Sequence, residues 1–259
     1  MRVISLAYHD VIEDMPGSCA DPRPHSSRYT LSRSSFRKHL EILAANATPP
    51  RVSTIDNIEQ DGHSLPVFLT FDDGAAGAYT CIADELERLG WRGHFFIVSS
   101  WIGRPGFMDR QQICDLRRRG HIIGSHSRSH PERMSCLEWD HLVYEWIDSC
   151  AVLSDLLGEK ITVASVPNGY HSADVARSAA LAGIQTLFTS EATTAIHKVD
   201  GCDVLGRFCV QSAAQPSFTA ALVTHRHMRM RQTVSWNARK VAKAIGGNAY
   251  LAVRSKLLS

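Results

Sequence analysis

Apolar runs alternate with helical patterns along most of the chain, and that alternation restricts the fold more than any other feature. Strands are predicted over 3–8, 67–71, 94–98, 122–125, 162–166, 185–188 and 205–210. Helical periodicity fills 34–46, 77–89, 110–119, 137–157 and 173–182. A strand–helix repeat makes successive strands parallel, because each helix carries the chain back across the sheet. The expected class is therefore α/β, with a sheet closed or nearly closed as a barrel. Such barrels collect their chemistry at the C-terminal ends of the strands. At 259 residues the chain can bury a full core in one such domain and carry an extension.

Two strand ends hold reactive side chains. The run Leu69-Thr70-Phe71 passes into Asp72-Asp73-Gly74. Neighbouring side chains of a strand point to opposite faces, so both carboxylates aim together only where the strand breaks, and Gly74 permits that break. The strand at 122–125 passes into His126-Ser127-Arg128-Ser129-His130. Asp-Asp-Gly alone is also a common turn, and thirteen histidines make a chance pair easy to find. At two strand ends together, the motifs offer a carboxylate and two imidazoles to a divalent metal, with a second carboxylate to serve as base. The second motif lacks the glutamate of the helical His-Glu-x-x-His site. Three protein ligands leave positions open, as in a catalytic zinc centre. Zinc is the expected ion, and cobalt, nickel or iron would suit the same donors.

Thr70-Phe71-Asp72-Asp73-Gly74 and His126-Ser127-Arg128-Ser129-His130 resemble the first two motifs of the polysaccharide deacetylases, the NodB-homology group of carbohydrate esterase family 4. The resemblance implies a distorted (β/α) barrel of fewer than eight units over 1–210. It implies Asp72 as general base, with Asp73, His126 and His130 holding the metal. The stretch Ala164-Ser165-Val166-Pro167-Asn168-Gly169-Tyr170 stands at the third motif, so Pro167, Asn168, Gly169 and Tyr170 are expected to line the substrate cleft. Ser165 replaces the arginine that orients the base in that family, and Arg128 is the candidate substitute. Thr189-Ser190-Glu191 falls at the fourth motif and receives no role. Val223-Thr224-His225 is no convincing copy of the family's C-terminal Leu-x-His. Instead, the strand ending Tyr8-His9-Asp10 resembles the first strand of circularly permuted members, including deacetylases of poly-N-acetylglucosamine. That likeness implies His9 as the acid for the leaving nitrogen, with Asp10 to orient it. A backbone N–H from residues 79–81 is the expected oxyanion donor.

Composition bounds the setting. No run approaches the ~18 apolar residues of a membrane span. Seven cysteines without a Cys-x-x-Cys pair, and a first strand with no secretory leader ahead of it, suggest reduced thiols and a cytoplasmic protein. The net charge of +2 hides a segregation: residues 204–259 carry nine Lys or Arg and no Asp or Glu. A basic helical extension over 211–259 is expected to pack on the catalytic domain. It suits peripheral contact with the inner face of a membrane, a phosphate-bearing substrate, or plain solvation. No nucleic-acid recognition motif accompanies it. The leading expectation is a metal-dependent N-deacetylase acting on a nucleotide-linked, lipid-linked or free N-acetylated saccharide in glycan or cell-envelope biosynthesis. The alternatives are a deformylase or other C–N amide hydrolase of the same superfamily, and a non-catalytic saccharide-binding homologue.

Overall fold

The computed structural model describes residues 2–14, 28–46, 52–57 and 65–238. In chain order its strands are β1 (Ile4–Tyr8), β2 (Asp10–Ile12), β3 (Thr30–Ser32), β4 (Val67–Phe71), β5 (His94–Ile97) and β6 (Ile122–Ser125). They continue as β7 (Val163–Ser165), β8 (Thr186–Phe188), β9 (Ile196–Val199), β10 (Cys202–Leu205) and β11 (Phe208–Cys209). The helices are α1 (Arg33–Ala44), α2 (Ala83–Glu87), α3 (Arg110–Arg118), α4 (Trp139–Leu157), α5 (Ala173–Leu181) and α6 (Pro216–Thr224). Nine strands form one sheet in the order β11-β1-β4-β5-β6-β7-β8-β10-β9. Every residue of β1, β4, β5 and β6 is buried, as in parallel strands covered on both faces. The expected α/β barrel of fewer than eight units is the fold observed.

The two ends of this sheet are nearly one piece of chain. β10 pairs with β8, β11 pairs with β1, and only Gly206 and Arg207 separate β10 from β11. One segment therefore leaves the β8 edge and joins the β1 edge, curling the sheet on itself. The single strand predicted over 205–210 is broken here because the segment changes partner. A Cβ at Gly206 would lie 2.2 Å from the Glu191 carbonyl oxygen, so only glycine fits the crossing. Beside the seam, β9 runs antiparallel to β10 through Asp200-Gly201, whose φ angles of 48° and 86° suit a primed hairpin turn.

Part of the basic extension packs on the barrel. α6 lies along α1, where buried His39 bonds the Thr219 hydroxyl at 2.9 Å and the Ala214 carbonyl at 3.1 Å. Residues 226–238 form a further helix, and Thr233 donates from it to the Ala192 carbonyl. Arg229 caps α6, donating to the carbonyls of Leu222 and Val223. Residues 239–259, which hold five of the nine Lys or Arg counted over 204–259, lie outside the described residues. No described helix is long and apolar enough to cross a membrane.

Candidate active site

The reactive residues gather at the C-terminal ends of the strands. His9 follows β1, Asp72 and Asp73 follow β4, His126 follows β6, Ser165 ends β7 and Arg207 follows β10. Tyr8 pairs with Phe71, so His9 and Asp72 leave neighbouring strands side by side. Five described non-glycine residues have positive φ: Asp73 (75°), Ser127 (64°), His130 (57°), Asn168 (55°) and Asp200. Four of them stand in the motif loops, so backbone strain is concentrated where side chains must be aimed. Gly74 follows Asp73 at φ 77°, extending the left-handed break that the sequence predicted.

Asp73, His126 and His130 offer ligand atoms that all lie within 4.8 Å of one another. Asp73 Oδ1 stands 3.4 Å from Nε2 of each histidine. Burial would raise the Asp73 carboxyl, but the His126 hydrogen bond and the charges of His9, His126 and His130 carry it well below the usual carboxylate range. Burial and the His126 charge push His130 down to about 4. An anionic carboxylate and a neutral imidazole are the forms that bind a metal. At His126, Nδ1 lies 3.0 Å from the Ser165 carbonyl, which leaves Nε2 aimed at Asp73. The donor set, its protonation and its outer support fit a divalent cation.

The second motif is braced from α4. Buried Glu145 accepts from the Ser129 N–H at 2.8 Å and the Ser129 hydroxyl at 2.6 Å. It holds the loop that turns His130 inward. Glu145→Ala is expected to weaken metal binding about tenfold or more, read by competitive titration against a chelating dye. Unchanged affinity would mean that the loop holds its own shape.

Asp72 is ion-paired, and its partner was missed in the sequence. Fully buried Arg207 donates to Asp72 Oδ1 at 2.7 Å and to Oδ2 at 2.8 Å. Its Nε donates to the Thr189 carbonyl at 3.0 Å, so the loop at the fourth-motif position supports the arginine. Burial would raise the Asp72 carboxyl, but the Arg207 charge, the His126 charge and the Arg207 hydrogen bonds outweigh it and hold the carboxyl at about 2. The expectation for Arg128 is corrected. Its guanidinium pairs with Asp148 at 3.1 Å and lies over the Tyr144 ring, on the α4 side. The visible signal for Arg207 was a lone charge inside the apolar run from Val204 to Val210.

His9 sits within electrostatic reach of Asp73, Asp72, Arg207 and His126, and burial lowers its pKa. Its ring stacks on Tyr29 with centroids 4.5 Å apart. The expected orientation by Asp10 is not observed, because Asp10 Oδ1 accepts from the Val11 N–H and lies against Gly77. His9 Nδ1 is buried and has no hydrogen-bond partner among the described residues. The amides of Tyr79 and Thr80 are likewise not free for an oxyanion, since both donate to the Ala76 carbonyl. At the third motif, Pro167 is buried and Asn168 is exposed, reaching toward the carbonyls of Pro131 and Glu132 just past His130. Gly169 packs on Ser190 and Trp236, and Arg133 lies over the Tyr170 ring. This loop thus borders the second motif.

The polysaccharide deacetylase family profile matches residues 59–187. The chain belongs to the polysaccharide deacetylase family. YxkH of Bacillus subtilis, which carries the same family name, is 24% identical over 165 residues, covering 62% of this chain and 59% of that protein. The peptidoglycan-N-acetylglucosamine deacetylase PgdA of Listeria monocytogenes is 28% identical over 120 residues, 46% of this chain and 23% of its own length. This polysaccharide deacetylase family member therefore spans less than two thirds of these curated relatives. Among solved structures, the Streptococcus pyogenes deacetylase PplD in complex with acetate superposes with a TM-score of 0.68 at 16% identity, covering 84% of this chain and 96% of that one. IcaB from Ammonifex degensii superposes with a TM-score of 0.69 at 20% identity, covering 86% and 97%. At those identities the likeness is one of fold.

Proposed function

We propose that the protein is a metal-dependent N-deacetylase that hydrolyses the acetamido group of an N-acetylated saccharide. The observation that carries this reading is the Asp72–Arg207 pair standing beside the Asp73, His126 and His130 donor cluster. A divalent ion held by those three residues, zinc by preference, would polarise the acyl carbonyl and acidify water in the site. Arg207 keeps Asp72 ionised near neutral pH, so the carboxylate can accept a proton from the water that attacks the acyl carbon. His9, on the neighbouring strand, donates a proton to the nitrogen as the C–N bond breaks, leaving acetate and a free amine. The loop from Pro167 to Tyr170, bordering the second motif, is placed to contact the sugar.

The test is acetate release from nucleotide-linked, lipid-linked and free N-acetyl oligosaccharides, before chelation, after chelation and after zinc is restored. Release from one class that chelation stops and zinc restores is the expected result. Formate release from N-formyl sugars with no acetate release would replace this reading with a deformylase. Saccharide binding without turnover of any acyl group would replace it with a binding protein.

His9→Ala is expected to lower kcat by about 10²–10⁴-fold while metal affinity holds. Turnover near that of the unaltered protein would remove His9 from the acid role.

A further inference from the structure

Ser165 occupies the position where the family motif carries arginine, and its hydroxyl lies between the two halves of the site. Ser165 Oγ is 2.6 Å from His126 Nδ1 and 3.1 Å from Asp72 Oδ1. All three side chains are buried. The proton count on this chain has one consistent solution. His126 Nδ1 also faces the Ser165 carbonyl at 3.0 Å, and a carbonyl oxygen can only accept, so Nδ1 carries its hydrogen. The hydroxyl then accepts from Nδ1–H and gives its single proton to Asp72. The same bond distinguishes the two oxygens of Asp72. Among the described residues, Oδ1 accepts from both Arg207 Nη1 and Ser165 Oγ, whereas Oδ2 accepts from Arg207 Nη2 alone.

We propose that Ser165 is a positioning residue that ties the metal ligand His126 to the base Asp72 and leaves Oδ2 as the oxygen that takes the proton. Arg207 supplies the cation that orients the base in this chain, so position 165 needs only a short hydroxyl. The inference rests on the deacetylase reading for its effect on rate, but its effect on metal affinity needs no substrate.

Two variants test it. In Ser165→Ala the link is cut at both ends, and zinc affinity should fall about tenfold or more. The kcat of the zinc-saturated variant should fall roughly 10–100-fold with KM changed less than about twofold, because the link acts on ligand and base rather than on the sugar. Ser165→Thr keeps the hydroxyl and should stay within about threefold of the unaltered protein in both measures, the span of a small packing change. Ser165→Ala that binds zinc as tightly as the parent overturns the proposal. So does Ser165→Thr that folds and is as impaired as Ser165→Ala. Failure of the deacetylase reading would look different: no acetate release from any variant, with the zinc affinities still ordered as expected.

Discussion

Asp72→Asn is expected to lower kcat by about 10²–10⁴-fold while zinc binding stays at one ion per chain with nearly unchanged affinity. The amide cannot take a proton from water, which accounts for the rate. It leaves Asp73, His126 and His130 in place, which accounts for the metal. The two readouts together separate base from ligand. Loss of zinc along with turnover would move Asp72 into the ligand set, and turnover near that of the parent would place the base elsewhere. Arg207 would face an amide oxygen in this variant, so modest destabilisation is expected as well.

Arg207→Met should have the largest effect on stability. It strips the cation from a buried carboxylate, and breaking a buried pair on one side costs about 3–5 kcal/mol. For a domain of this size that is a fall in Tm on the order of 10 °C. The pH dependence should reverse sign. In the parent, Asp72 is held at about 2, below its usual 3.8, so its contribution to stability is present above pH ~4 and is lost as pH falls toward 2. Without the cation, burial dominates and raises the carboxyl, so the variant is relatively favoured by acid and the acid limb of kcat/KM moves to higher pH. The double variant Arg207→Met with Asp72→Asn removes both charges and should be more stable than Arg207→Met alone. Equal or lower stability of the double variant, by thermal unfolding at neutral pH, would show that the pair is not what holds this part of the core.

The barrel was legible because its central strands are mostly apolar and alternate with periodic helical segments. Strand boundaries at 67–71 and 122–125 coincide with β4 and β6. The motifs were legible for the same reason, since each stands directly after a strand whose end was clear. What escaped was pairing at a distance. Arg207 and Asp72 are 135 residues apart in the chain, and no sequence pattern pairs a residue of the strand predicted over 205–210 with one just past β4. Arg207 lies in the short link between β10 and β11, buried in an apolar run, and a charge there needs a buried anion. The β9–β10 hairpin turns at Asp200-Gly201, but its strands are only four residues long and neither alternates apolar with polar. Adjacency in sequence suggests Asp10 as a partner of His9, but its Oδ1 faces the Val11 N–H and Gly77 instead.

The closing seam of the barrel also divides the labour of the site between the stretch that matches the family and its two flanks. The stretch that matches the family, 59–187, contains Asp72, Asp73, His126, His130 and Ser165. His9 lies before it and Arg207 after it, just past the end of β1 and just ahead of β11, two strands that pair with each other. Under the proposed roles the recognisable middle would carry what grips an ion, while the residues that hold a charge steady and deliver a proton arrive only when the two flanks meet. On that reading a chain misassembled at the seam is expected to keep the ion-binding residues together and yet release no acetate.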